Sequence, residues 1–258
     1  MIKKKTEFKR PETLLQADTH YCAGCGHGII HRILAELIDE LDLRGEIVGI
    51  APVGCAVLAY NYLDIDMSEA AHGRVPSVAT GIKRVHPELL VFGYQGDGDL
   101  ASIGTAEIIH AANRGENYTT IFVNNGVYGM TGGQMAPTTL PGQRTATSPL
   151  GRDISTMGYP LRMCELLNTL QNPCLIVRTA LDGPAGVRIT KKWIREAFLA
   201  QKQGQGFCFI EILSPCPTYW RMTAKESMEY ISKTVTQYFP TGVFRSPVKK
   251  EARACLSV

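Results

Sequence analysis

Two short apolar runs, each ending in a compact polar turn, restrict this chain more than any other feature. Residues 89–94 lead into Gly96-Asp97-Gly98-Asp99, and residues 119–123 lead into Asn124-Asn125, so that Asn125 falls 28 positions after Asp97. Residues 102–113 between them carry a helical pattern, with Gly115 just beyond as a stop signal. A strand, helix, strand unit of this kind is nearly always right-handed and makes its two strands parallel. Both polar turns then emerge at the carboxyl edge of one sheet, which is where open α/β folds bind ligands. The runs contain few polar residues, the pattern of parallel strands covered on both faces.

The flanking sequence extends that unit. Residues 28–43 show an apolar stripe of Ile29, Ile30, Ile33, Leu34, Leu37, Ile38 and Leu41 at helical spacing. Residues 46–51 read as a buried strand ending at Pro52-Val53-Gly54-Cys55, and residues 77–85 as a further helix. Residues 174–178 and 207–213 read as strands with a helix over 193–201 between them, and Ser214-Pro215-Cys216-Pro217 closes the last strand. Residues 126–153, rich in Gly, Thr and Pro, form a long irregular loop, which in a compact domain is usually functional or mobile. The fold class that follows is α/β, an open, mostly parallel twisted sheet with helices on both faces. Its 258 residues suffice for one large domain. We place that domain at residues 21–240, after an irregular arm at 1–20 and before a tail at 241–258 that has no clear pattern.

Charge and targeting signals narrow the partners. A net charge of +3 gives little reason to expect nucleic acid, and Lys3, Lys4, Lys5, Lys9 and Arg10 read as a solvated basic arm. No run approaches the roughly 18 apolar residues of a membrane span, and Met1 is followed by lysines rather than by the apolar core of a signal peptide. A cytoplasmic protein is expected. In that setting the eight cysteines point to metal binding or plain burial rather than to a disulfide framework.

The two polar turns suit a diphosphate held through Mg²⁺. Mg²⁺ demands near-octahedral oxygen coordination with only one or two protein carboxylates. Asp97 offers a carboxylate oxygen, Asn125 an uncharged amide oxygen and Val127 its main-chain carbonyl, while Gly96 and Gly98 let the backbone approach a phosphate closely. An isolated Gly-Asp-Gly is most often just a turn; here the second motif, with a strand before each and a helix between, tips the balance to a ligand site. A dinucleotide fold would place glycine third in Gly-x-Gly-x-x-Gly, where this chain has Ala101.

A second cluster is built from sulfur. Cys22 and Cys25 have the two-residue gap that lets both thiolates face one metal, and Cys55 and Cys216 each follow a strand whose loop converges on the same sheet edge. A Cys₄ set serves tetrahedral zinc or a [4Fe–4S] cluster; spacing does not separate the two and by itself leans slightly to zinc. Cys174 and Cys208 lie within apolar strands as buried hydrophobes, and nothing near Cys164 or Cys255 suggests ligation.

The paired motifs resemble the thiamine-diphosphate signature, and the chain as a whole resembles the thiamine-diphosphate-binding β subunit of 2-oxoacid:ferredoxin oxidoreductases. The matching segments are Cys22-Ala-Gly-Cys25-Gly-His27-Gly, Gly54-Cys55, His72-Gly-Arg74, Ala79-Thr-Gly-Ile-Lys83 and Gly96-Asp-Gly-Asp99, then Asn124-Asn-Gly-Val-Tyr128-Gly-Met-Thr-Gly-Gly-Gln134, Pro137-Thr-Thr139 and Ser214-Pro-Cys216-Pro217. They span roughly residues 20–240. Two departures are visible: Tyr21-Cys-Ala-Gly-Cys25 where many relatives have Trp-Cys-Pro-Gly-Cys, and Ala136-Pro-Thr-Thr139 where many have Ser-Pro-Thr-Thr.

The resemblance implies a diphosphate-binding domain of the thiamine-diphosphate fold, with a [4Fe–4S] cluster on Cys22, Cys25, Cys55 and Cys216. It implies Mg²⁺ on Asp97, Asn125 and the Val127 carbonyl, with Gly96, Gly98, Asp99, Thr131 and His27 around thiamine diphosphate. His72 is the catalytic candidate; for both histidines a structural role is the competing reading, and Arg74 is either an anion ligand or a surface ion pair. The implied reaction is coenzyme A-dependent oxidative decarboxylation of a 2-oxoacid, 2-oxoisovalerate or 2-oxoglutarate by wording of the motifs, with electrons passed to ferredoxin. An α subunit would supply the pyrimidine-binding domain and a catalytic carboxylate, and γ and δ subunits are further expected partners. Two other readings compete: a non-oxidative thiamine-dependent decarboxylase or synthase with a structural zinc, and a non-catalytic scaffold stabilised by zinc.

Overall fold

The structure, a computed structural model, describes residues 9–247. Lys3, Lys4, Lys5 and Cys255 therefore lie outside the described residues. Nine strands form among the described residues: β1 (Ile47–Ala51), β2 (Asp66–Glu69), β3 (Leu90–Gly96), β4 (Thr119–Asn124), β5 (Val127–Tyr128), β6 (Gln134–Met135), β7 (Leu175–Ala180), β8 (Cys208–Leu213) and β9 (Gly242–Arg245). Seven of them make one sheet in the order β2-β1-β3-β4-β8-β7-β9, while β5 and β6 pair as a small separate hairpin. Every pairing in the large sheet is parallel except that of β7 with β9. The mostly parallel α/β architecture expected from the sequence is thus the one observed.

The helices are α1 (Gly26–Glu40), α2 (Val75–Val85), α3 (Thr105–Arg114), α4 (Ile154–Met157), α5 (Met163–Asn168), α6 (Pro184–Lys202), α7 (Pro217–Trp220) and α8 (Ala224–Tyr230), the last running on through a π turn at Ile231–Val235. Side chains alternate across a strand, and the sheet is covered accordingly. Phe92, Tyr94, Ile121, Val123, Val177 and Ile210 pack against α1 and α6 on one face. Val91, Phe122, Ile176 and Phe209 pack against α2, α3 and α5 on the other. No described helix is long and apolar enough to cross a membrane.

Where the structure departs from the sequence reading, the reasons are local. The stretch after β3 does not enter α3 directly: Asp99–Ile103 form a π turn first, where the Asp99 side chain is tied to the Gly73 main chain and the Gln95 side chain outside the helix. Helix α6 begins at Pro184, well before residue 193, since its first half buries Gly186 and Thr190, not large apolar side chains. A Cβ on Gly186 would collide with the Ala180 carbonyl, so this turn lies hard against the end of β7. The stretch beyond Phe239 also contributes a strand, β9. As an edge strand it pairs on one side only, which leaves Val243 exposed and weakens the alternation that sequence patterns rely on.

Candidate functional site

Parallel pairing of β3 with β4 sets Gly96 beside Val123, so Asp97 and Asn125 leave the sheet on adjacent strand tips. Asp97 is 2% exposed. Its carboxylate accepts from the Gly98 N–H at 2.8 Å, the Gly126 N–H at 2.6 Å and the Thr138 hydroxyl at 2.6 Å. Burial nevertheless pushes this carboxyl up to about 6, against the pull of those hydrogen bonds. Buried carboxylates are costly unless paired with a cation or held by a full set of donors. One cavity is lined by Asp97, Asn125 and Val127 together with Gly96, Gly98 and Thr131, which groups the oxygen donors the sequence pointed to.

The two glycines of that turn differ in purpose. A side chain on Gly96 would meet nothing within 4 Å, whereas one on Gly98 would strike the ring of Tyr128. Gly96 thus leaves the cavity floor open, and Gly98 makes room for an aromatic wall. The carboxylate of Asp99 borders the cavity but is engaged elsewhere. It accepts from the Gly73 N–H at 2.9 Å and from Gln95 Nε2 at 2.6 Å, and it pairs with His72 Nδ1. Asp99 therefore fixes the His72-Gly73 corner. Arg74 is paired with Glu107 and does not line the cavity. Thr131 is exposed and its hydroxyl donates to Gln134 Oε1 at 2.6 Å.

Sequence reasoning missed the support behind Asp97. Thr138 donates to the Asp97 carboxylate, and Thr139 donates to the Gly126 carbonyl at 2.5 Å. Both threonines sit in the long loop, which buried Arg152 gathers by donating to the carbonyls of Pro137 at 3.0 Å, Thr139 at 2.8 Å, Gly158 at 2.9 Å and Tyr159 at 3.1 Å. The hydroxyl repeat Thr138-Thr139 was the available signal; nothing in the sequence ties Arg152 to it.

The cysteines converge through glycine contacts. Cys25 caps α1, and Gly26 at the start of that helix leaves no room for a Cβ against Ser214 and Pro215, beyond β8. That seat carries Cys22 and Cys25 to Cys216. Cys55, beyond β1, lies against Gly129, where a Cβ would come within 3.0 Å of the sulfur. All four line a second cavity with His20, Tyr21 and Tyr219. Burial pushes Cys55 up to about 11 and Cys216 to about 12, and the nearby thiols add to this by mutual repulsion. Burial likewise raises Cys25, opposed by a main-chain hydrogen bond from His27. Such a set ionises only with compensating positive charge, which is what a metal centre supplies. Among the described residues no group of three or more His, Cys, Asp or Glu is placed to hold a metal ion. Cys164, Cys174 and Cys208 are buried in the hydrophobic core.

The two cavities adjoin. His27, Cys55, Asn125, Gly129 and Met130 line both. His27 is 3% exposed, and burial pushes its imidazole down to about 4, so it is neutral near pH 7. His72 lines only the first cavity and His31 neither.

Comparison with known proteins follows the same lines. A family model described as thiamine pyrophosphate enzyme, C-terminal TPP binding domain, matches residues 52–212. The ketoisovalerate oxidoreductase subunit VorA of Methanothermobacter thermautotrophicus is 51% identical over 238 residues, 92% of this chain and 50% of that protein. The chain thus spans about half the length of these relatives. The 2-oxoglutarate synthase subunit KorB of Archaeoglobus fulgidus is 32% identical over 260 residues, covering 95% of this chain and 90% of its own. A solved 2-oxoglutarate:ferredoxin oxidoreductase from Magnetococcus marinus, with 2-oxoglutarate, coenzyme A and succinyl-CoA bound, superimposes with a TM-score of 0.72 at 25% identity, over 96% of this chain and 88% of that one.

Proposed function

Because the chain belongs to the thiamine-diphosphate-binding β subunits of the 2-oxoacid:ferredoxin oxidoreductases, we propose that it carries out the coenzyme A-dependent oxidative decarboxylation of a 2-oxoacid as one subunit of a complex. The observation that carries this reading is the shared wall: a cavity of oxygen donors on one side, a cavity ringed by four cysteines on the other. Asp97, Asn125 and the Val127 carbonyl would hold Mg²⁺, with Gly96, Gly98 and Thr131 beside the diphosphate. Cys22, Cys25, Cys55 and Cys216 would hold a [4Fe–4S] cluster. The thiamine ring supplies the carbanion chemistry that releases carbon dioxide and the cluster the one-electron steps.

The chain's own residues prepare that chemistry. Asp97 is pre-set by three donors, so little reorganisation is needed when a cation arrives. Asp99 holds His72 through Nδ1, which leaves the other ring nitrogen as the candidate for proton handling at the first cavity. The wall of buried His27 and half-buried Cys55 and Gly129 is shared by the two cavities and would keep the two centres close, which favours direct electron passage. Four cysteines on one cavity suit a [4Fe–4S] cluster or a tetrahedral zinc, and membership of the ferredoxin-linked family supports the cluster over the zinc of the non-oxidative alternative.

The substrate we infer is 2-oxoisovalerate or a branched relative, with 2-oxoglutarate second, following the higher identity to the ketoisovalerate subunit than to the 2-oxoglutarate subunit. An α subunit bearing the pyrimidine-binding domain would contribute the carboxylate that activates the cofactor; γ and δ subunits and ferredoxin complete the proposed assembly, in the cytoplasm. The deciding experiment assays the co-purified complex against a panel of 2-oxoacids with coenzyme A and ferredoxin or a viologen dye. Reduction of the acceptor by branched 2-oxoacids, from a brown protein that bleaches with dithionite, is the expected result. A colourless protein with stoichiometric zinc and no acceptor reduction overturns it.

A further inference from the structure

One buried side chain stands between the two cavities and is held in a single chemical form. His27 lies in the first turn of α1 and lines both spaces. Its Nδ1 is 2.7 Å from the Tyr94 hydroxyl, and its ring stacks on Tyr21 with centroids 5.0 Å apart and planes 21° apart. Tyr94 is 1% exposed, and among the described residues its hydroxyl has this one partner. A buried O–H without an acceptor carries a full desolvation penalty, whereas a hydroxyl oxygen that accepts nothing costs far less. The satisfied arrangement has Tyr94 donating to Nδ1. A neutral imidazole that accepts at Nδ1 carries its proton on Nε2.

We propose that His27, its Nε2–H set by the Tyr94 bond at Nδ1, is a hydrogen-bond donor to the iron–sulfur centre from the wall shared with Cys55, where it raises the reduction potential of the cluster. The inference rests on the reading of the second cavity as the cluster site. Hydrogen bonds to cluster and thiolate sulfurs stabilise the more negative, reduced state and are among the factors that set the potential. A donor placed between a cofactor and a cluster thus tunes the step that passes electrons from one to the other, without itself taking part in bond breaking. His27 is in this sense a positioning and tuning residue.

The test uses the co-purified complex carrying His27→Phe, His27→Asn, His27→Gln or Tyr94→Phe. Asparagine places its amide where Nδ1 lies and keeps the bond to Tyr94 but lacks the second donor; glutamine places an N–H near Nε2. Three quantities are read: iron per chain, thiamine diphosphate affinity by calorimetry with Mg²⁺, and the midpoint potential of the cluster by dye-mediated titration. The expected result is unchanged iron in all four. The potential moves to more negative values in the phenylalanine and asparagine variants, stays near wild type with glutamine, and moves less far in Tyr94→Phe. An unchanged potential in His27→Phe with the cluster intact overturns the proposal. So does a loss of cofactor affinity with the potential unmoved, which would assign His27 to the cofactor, and so does iron loss in all three His27 variants, which would make the residue structural. Wild-type protein without iron overturns the underlying reading before any variant is made.

Discussion

Asp97 shows how one buried residue couples binding, pH and stability. Its carboxyl is raised from 3.8 to about 6 by burial. In the metal-free chain the proton is held more tightly folded than unfolded, so stability is highest below pH 3.8 and declines as the pH rises to about 6. On the proposed reading saturating Mg²⁺ would take the proton's place, and denaturant unfolding with and without Mg²⁺ should show the decline only in its absence. By the same competition, Mg²⁺-dependent thiamine diphosphate affinity should fall by about tenfold per pH unit below the Asp97 value. Asp97→Ala is expected to weaken that affinity by roughly a hundredfold or more, and Thr138→Val by about tenfold, since Thr138 only orients the carboxylate. Calorimetric titration separates the two. An affinity unaffected by Thr138→Val would remove the loop from the binding machinery.

At the scale of elements, contacts that no helix or strand pattern encodes hold the site together. Gly26 and Gly28 lie two residues apart in α1, yet a Cβ on Gly26 would collide with Ser214 whereas one on Gly28 meets nothing within 4 Å. Gly26→Ala should therefore unseat the first turn and lower the iron content of the purified complex. Gly28→Ala should keep the iron and gain up to about 1 kcal/mol from helix propensity; iron analysis and thermal melts of the pair check both. Arg152 plays the corresponding part for the long loop. Replacing it by Leu leaves several carbonyls without their donor, which should cost on the order of 3 kcal/mol and open residues 136–159 to limited proteolysis. Equal cleavage rates for wild type and Arg152→Leu would show that the loop is held by other means.

For the molecule as a whole, the two cavities and the sheet edge form one unit, so ligand binding should be read out globally. Addition of thiamine diphosphate and Mg²⁺ at about 100 times the dissociation constant should stabilise the fold by about 2.7 kcal/mol, and a chelator should reverse the gain in Tm. The fold was largely legible beforehand because β3, α3 and β4 are continuous in sequence, and a right-handed parallel crossover leaves one way to put Asp97 beside Asn125. Edge strands β2 and β9 were not, since pairing on one side imposes no strong pattern. The identity and spacing of the glycine, aspartate, asparagine and cysteine residues by themselves fixed which donor atoms this protein has and which strand ends present them, because local backbone geometry follows from short-range sequence. Which of those atoms are free was decided only by packing. Asp99, a carboxylate on the same turn as Asp97, is consumed by Gln95, Gly73 and His72, and the proton of His27 is directed by Tyr94, a residue 67 positions away. Hydrogen bonds between side chains so distant in sequence depend on how helices seat on the sheet, and that is a property of the whole core.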